Sequence, residues 1–338
     1  MEYRKLPHGG EDVSVLGLGS SSMGGTGEYE TEATVSLAIE NGVNYFDTAY
    51  AYHNGSSELA VRQALSKYPR ESYYLADKFP GYDLANMPKV KEIFEEQLQK
   101  CGVASFDFYL FHNVCELNIE EYLDPKYGIL DYLLEQKKLG RIKHLGFSCH
   151  GAMPVLKSFL DAYGAHMEFC QIQLNYVDWS LQRAEEKVKL LNERGIAVWV
   201  MEPVRGGALA SLCPEAEAVL KAKAPGRSIA SWAIRFAASL PGVLVVLSGM
   251  SSEEQLADNL AAMSPFQPLT KSEQNALTRA VRLDQRAQRI PSTGCRSFMP
   301  CPFGAALPGL FLCADPRLHF RHREGRGHGR HSWREAGR

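Results

Sequence analysis

The chain has 338 residues, with 37 Lys and Arg against 39 Asp and Glu and a formal charge of −2. That length suits one large α/β domain or two smaller ones, and the near balance of charge gives the body of the protein no footprint for nucleic acid or a membrane surface. No apolar run approaches the roughly 18 residues of a membrane span, and the opening MEYRKLPHGG lacks the apolar core of a signal peptide, so a cytoplasmic location is expected.

In chain order, EYRKLPHGGEDVSVLGLG sets a Gly9-Gly10 turn between polar and apolar pieces, which predicts a hairpin capping the bottom of the fold. Short β-type runs follow: VSVLGLG (13–19), NYFDT (44–48), SYYLADK (72–78), FDFYLFH (106–112), IKHLGFS (142–148), FCQIQL (169–174), IAVWVM (196–201) and GVLVVLS (242–248). Their near-continuous apolarity is that of parallel strands covered on both faces. Segments with helical periodicity separate them, among them SELAVRQALSKY and VKEIFEEQLQKCG. Eight such strands with helical crossovers predict a closed (β/α)8 TIM barrel over residues 1–265. Asp47, Lys78, His112, Ser148, Gln171 and Ser248 stand at or beside the C-terminal ends of their runs, the ends that converge on the active-site rim of this fold.

Beyond the barrel, LTKSEQNALTRAVRLDQ predicts a helix that opens a C-terminal extension over 266–312, continued by a loop rich in Pro, Gly and Cys. From 313 to 338 the chain is rich in Arg, His and Gly, without lysine or hydrophobic period, and is expected to be a disordered basic tail. No groove-reading module accompanies it, so no nucleic-acid partner is expected. Most of the 8 cysteines are scattered singly through apolar segments, as reduced thiols are.

The chemistry concentrates in FDTAYAYHNGSSE, where Asp47 ends a β-type run and Tyr52 follows in the loop. A phenol with its usual pKa of about 10 is a weak acid at neutral pH, and an adjacent Lys78 ammonium is expected to lower that value. Asp47 would hold Lys78 and balance its charge, while His112 would help stabilise an oxygen gaining negative charge. The set suits protonation of a carbonyl oxygen as a hydride reaches its carbon. It lacks a nucleophile for acyl transfer, and no His-x-His pair or other clustered ligand spacing supports a metal-dependent hydrolase.

FDTAYAYHNGSSE, LADKF, YLFH and GRIKHLGFS resemble the signature segments of the aldo-keto reductases, a likeness running from about residue 3 to 311. The resemblance implies a (β/α)8 barrel that binds a nicotinamide cofactor and reduces an aldehyde or ketone, or runs the reverse oxidation. It makes Tyr52 the general acid, tuned by Asp47 and Lys78, with His112 orienting a small-molecule carbonyl. It also places Gly19 and Ser20 near the nicotinamide ribose, and Ser148 and Gln171 on the carboxamide. Met201 stands where the family usually has a stacking tyrosine, and Cys149 where an asparagine often follows the serine. Gly249, Ser251, Ser252, Gln255 and Asn259 fall in the segment that grips the adenosine phosphate end. Gly249 and Gln255 replace a lysine and an arginine of many NADPH-specific members; NADPH is expected, with NADH the close alternative.

PSTGCRSFMPCPFG resembles the C-terminal motif of a subgroup in which four cysteines, each three residues apart, bind a [4Fe–4S] cluster. Here those places hold Ser292, Cys295, Phe298 and Cys301. Two thiolates are too few for such a cluster, so none is expected and Cys295 and Cys301 read as remnants. A second functional reading is a nicotinamide-binding regulatory or interaction subunit with little turnover, against which the complete Asp47, Tyr52, Lys78 and His112 set argues.

Overall fold

The computed structural model of the protein describes residues 1–21 and 28–287. The opening hairpin pairs β1 (Tyr3–Lys5) with β2 (Asp12–Ser14) in antiparallel register. The barrel strands are β3 (Leu16–Gly19), β4 (Tyr45–Asp47), β5 (Tyr74–Phe79), β6 (Phe106–Val114), β7 (Ile142–Cys149), β8 (Phe169–Gln173), β9 (Ala197–Met201) and β10 (Val243–Ser248). They form a closed barrel in chain order, with β10 pairing in parallel with β3, and each crossover carries at least one helix. The (β/α)8 architecture expected from the sequence is the one observed.

Strand alternation decides what faces inward. Tyr45, Ala76, Phe108, Leu110, Phe169, Trp199, Val245 and Leu247 make one interior cluster. Their strand neighbours Phe46, Leu75, Tyr109, Phe111, Cys170, Val198 and Val246 belong to the separate cluster beneath the helices. The interior is solid: Tyr45 meets Phe108 edge-on at 5.1 Å, and Phe169 lies 4.6 Å from Trp199. Leu6 and Val13 of the hairpin join this interior cluster, and Leu6, Pro7 and His8 line a small cavity with Phe108, His144 and Trp199. The hairpin therefore closes the N-terminal end of the barrel, as its sequence predicted. Continued upward, the same alternation turns Gly19, Asp47, Lys78, His112, Ser148, Gln171 and Met201 toward the axis. Ser248 has the opposite parity; it faces outward and accepts a hydrogen bond from Asn259 at 3.0 Å.

Among the described residues, a second compact unit gathers 211–226 and 272–287. Its helices among the described residues are Pro214–Lys223 and Lys271–Ala287, and the Cys213 amide donates to Asp284 at 2.9 Å. The latter helix is the one expected from LTKSEQNALTRAVRLDQ. Cys295, Cys301 and the basic tail lie outside the described residues. Among the described residues, no helix is long and apolar enough to cross a membrane.

Gly146 of β7 faces Phe169 of β8 across the ladder, and a Cβ there would lie 2.6 Å from the Phe169 carbonyl oxygen and 2.5 Å from its ring. Backbone held on both sides by the barrel cannot yield, so Gly146→Ala is expected to cost about 1–3 kcal/mol of stability by overpacking, read as a lower urea midpoint at unchanged m-value.

Candidate active site

Three strand ends and one loop build the rim site. Asp47 is the last residue of β4, and Lys78 and His112 stand near the ends of β5 and β6. Tyr52 opens the one-turn 3-10 segment Tyr52–Gly55, in which His53 and Asn54 hold left-handed backbone at φ 51° and 56°. Such strain persists only where the surroundings hold it; the His53 ring bonds the Ser21 carbonyl at 2.5 Å.

The Lys78 side chain is fully enclosed, with none of its surface exposed. An ammonium so placed needs acceptors. Its Nζ donates to Asp47 Oδ1 at 2.5 Å and to the Thr48 carbonyl at 2.6 Å, and lies 5.0 Å from the centre of the Tyr52 ring. Burial opposes the charge, but Asp47 and Tyr52 hold the Lys78 ammonium above its ordinary pKa. Burial likewise pushes the Asp47 carboxyl up against the pull of Lys78. With the ammonium on two oxygen acceptors at these distances, the pair is ionised.

Burial also raises the Tyr52 phenol, and by more than Lys78 lowers it. This corrects the expectation of a net lowered pKa: the ammonium acts in the predicted direction, yet desolvation of a phenolate outweighs it. Tyr52 is therefore a protonated phenol at neutral pH. His112 moves the other way, held well below the usual imidazole value first by burial and then by Lys78, so it is neutral. Its ring meets Tyr52 edge-on at 5.8 Å, and its Nδ1 is buried with no hydrogen-bond partner among the described residues.

The residues expected to hold a cofactor fall into two groups. Ser148 and Gln171 are direct register partners on β7 and β8, both buried, and Ser148 accepts the Asn113 amide at 2.7 Å. Asp47 Oδ2 has no hydrogen-bond partner among the described residues, while the Gln171 amide lies close enough to favour the Asp47 carboxylate. Met201 ends β9 on the same rim. Gly19 ends β3 against the backbone of Ser248 and Gly249, and Ser20 is tied through Ser57, at 2.7 Å, to Thr48. The second group opens the helix Glu253–Met263: Ser252 caps it by accepting the Gln255 amide, and Gln255 accepts the Ser251 amide at 2.9 Å. Buried rim atoms without a partner among the described residues, Asp47 Oδ2 and His112 Nδ1, and a serine-rich helix N-terminus fit a dinucleotide with an amide at one end and phosphates at the other.

A family model described as the Aldo/keto reductase family matches residues 15–282, well over half of the chain. The chain belongs to the aldo/keto reductase family. Relatives include an uncharacterized oxidoreductase of Bacillus subtilis (strain 168), 26% identical with 84% of this chain and 98% of that protein covered. The NADH-specific methylglyoxal reductase of Escherichia coli (strain K12) is 26% identical, with 61% and 69% covered. L-Galactose dehydrogenase of Arabidopsis thaliana is 25% identical, with 83% and 96% covered. Among solved structures, an aldo-keto reductase from Bacillus halodurans in its holo form gives a TM-score of 0.70 at 26% identity, covering 83% of this chain and 96% of that one.

Within this aldo/keto reductase the rim also uses side chains that sequence reasoning missed. Tyr82, in the loop after β5, meets His112 edge-on at 5.3 Å, and burial pushes its phenol up to about 12. Tyr122 accepts the Gly81 amide at 3.1 Å and donates to the His112 carbonyl at 2.8 Å. Asn118 donates to the Gly81 and Asn113 carbonyls at 3.2 and 2.9 Å. These bonds pin the loop carrying Tyr82 to the end of β6. Neither periodicity nor spacing marks them; a lone buried Tyr in an apolar stretch reads as core.

Removing the ammonium alone leaves a buried carboxylate without its counter-charge. Lys78→Met is expected to cost about 3–5 kcal/mol of stability, whereas Asp47→Leu with Lys78→Met should recover much of it; urea unfolding of both variants checks this.

Proposed function

We propose that this chain is an NAD(P)H-dependent reductase of a small aldehyde or ketone, working in reverse as an alcohol dehydrogenase, with Tyr52 as the proton donor. The observation that carries the reading is the enclosed Lys78 ammonium, held by Asp47 and Thr48 and set 5.0 Å from the Tyr52 ring. A protonated phenol can give its proton to a carbonyl oxygen, and the ammonium beside it steadies the phenolate left behind. Neutral His112 can hold that oxygen without competing as an acid. Names of two relatives, a methylglyoxal reductase and an L-galactose dehydrogenase, support carbonyl–alcohol chemistry.

Ser148 and Gln171 would hold the carboxamide of the cofactor, Met201 would cover the nicotinamide, and Gly19 and Ser20 would line its ribose. The cofactor supplies the hydride. Its adenosine end would meet Gly249, Ser251, Ser252, Gln255 and Asn259. These offer hydroxyls and helix amides but no cation to a 2′-phosphate, where Arg or Lys is the usual partner. NADPH is the first assignment and NADH the close second, the latter supported by the name of the NADH-specific relative. With only Cys295 and Cys301 remaining of the cluster motif, no [4Fe–4S] centre is assigned.

Tyr52→Phe is expected to lower carbonyl-dependent NADPH oxidation by roughly 10²–10⁴-fold, the range for a lost general acid, while cofactor still quenches protein fluorescence. Undiminished turnover would refute the role of Tyr52; cofactor binding without wild-type turnover on a broad carbonyl panel would favour a regulatory subunit. Gly249→Lys with Gln255→Arg should tighten NADPH by about tenfold or more through charge-assisted bonds, leaving NADH affinity unchanged in parallel titrations.

A further inference from the structure

Behind the rim lies a second set of ionisable groups that the proton-donor scheme does not use. Asp77, between the inward-facing Ala76 and Lys78, points outward into the helix layer. There it meets Glu58 from the helix Ser57–Leu65 and Cys101 from the helix Val90–Cys101, with acceptor atoms of the three within 4.8 Å of one another. All three are buried, and Glu58 and Asp77 have no measurable exposure.

The contacts converge on the backbone of Lys78. Its amide donates to Asp77 Oδ1 at 2.7 Å, and its carbonyl accepts from Gln97 Nε2 at 3.0 Å. Gln97 is fixed in turn by the Tyr109 hydroxyl, which donates to its Oε1 at 2.5 Å. Asp77 Oδ2 accepts the Cys101 thiol at 3.6 Å, and Glu58 Oε2 accepts Lys100 at 3.0 Å. Glu58 Oε1 has no hydrogen-bond partner among the described residues, while its side chain lies within reach of both Asp77 and Gln97. Two carboxyl groups buried together, with an oxygen that lacks a donor, are satisfied by one proton held between them.

We propose that Glu58 and Asp77 share a single proton and, with Gln97, form a clamp that positions Lys78 beneath Tyr52. The inference rests on the proton-donor reading of Tyr52 for its catalytic consequence, but not for the shared proton itself. The residue before Glu58 serves the other end of the lysine: Ser57 bonds Thr48 Oγ1 at 3.0 Å, and the Thr48 carbonyl receives the Lys78 ammonium. Lys78 is thus held at its peptide by Asp77 and Gln97, and at its Nζ by Asp47 and the Thr48 carbonyl.

The charges around the pair agree. Facing it are Lys78 and, past it, Asp47 on the rim; Lys100, with its partners Glu96 and Tyr50; the Cys101 thiol; and Tyr109. Lys100 balances one negative charge, not two. Burial first and Glu58 second push the Asp77 carboxyl well above the usual range, and burial raises Glu58 despite Lys100. Since these folded-state values are raised, the proton is held below them and is lost as pH rises through them. Loss places two carboxylates side by side and opens the clamp.

The test uses the full-length protein with NADPH and 4-nitrobenzaldehyde as probe carbonyl, beside infrared spectra in H₂O and D₂O. Wild type should show the isotope-sensitive C=O stretch of a buried carboxylic acid, absent from both Asp77→Asn and Glu58→Gln. Asp77→Asn keeps an acceptor for the Lys78 amide and a donor for Glu58, so its kcat should stay within about twofold at neutral pH and lack the wild-type decline on the alkaline side. Asp77→Ala, with the clamp open, should lose roughly 10²-fold in kcat, as a misplacement near 1 Å does, at unchanged NADPH affinity. Absence of the acid band in wild type, or full activity in a folded Asp77→Ala, would overturn the proposal. If Asp77→Ala does not fold, as judged by circular dichroism, the bands of the other variants decide. If wild type turns over no carbonyl, the functional reading fails while the infrared result still decides the clamp.

Discussion

An ammonium with no exposed surface is the constraint around which the rest of this structure is arranged. Lys78 survives in the barrel because Asp47 and the Thr48 carbonyl replace the water it gave up, at 2.5 and 2.6 Å. A buried ion pair is weak evidence of stability, because the desolvation of both partners offsets much of their attraction. What it secures here is placement. The pair ties the end of β4 to the end of β5, and it fixes a positive charge beside Tyr52.

The same enclosure sorts the rim groups by protonation state. Burial moves acids up and bases down, so Tyr52 stays a phenol and His112 stays an uncharged imidazole, while mutual contact keeps Lys78 and Asp47 ionised. A neutral donor, a neutral hydrogen-bonding ring and one compensated cation form a site ready to stabilise negative charge on an oxygen. Bare proximity of lysine to tyrosine would predict a more acidic phenol. In water that term would win, whereas in the barrel the cost of a desolvated phenolate is larger.

Support for the site comes from the layer behind it as much as from the rim. Ser20, Ser57 and Thr48 link two strand ends to a helix start, Gln97 and Asp77 hold the Lys78 peptide, and Tyr122 with Asn118 ties the loops after β5 and β6. Each of these polar groups is buried and paired, as low-polarity surroundings demand. They convert a loose gathering of rim residues into one with defined distances.

Much of this was written in the one-dimensional pattern. Eight apolar runs with helical segments between them imply a parallel barrel, and the period-2 alternation within YFD, LADK and FYLFH sends Asp47, Lys78 and His112 to one side. The motif at 46–58 carried the resemblance to the family and the residues of the proposed proton donor. Ser248 shows the limit of placing a residue by its position along a strand alone: it ends its run like the others, yet its parity faces it to Asn259. Tyr82, Gln97, Asn118 and Tyr122 left no trace in periodicity, because their partners lie on other elements of the chain. The net direction of the Tyr52 shift was likewise a matter for the folded molecule. The local pattern determines which face a side chain takes and which charges are its neighbours; how much water is removed from around them depends on every element that closes over the site, and only the tertiary structure decides that balance.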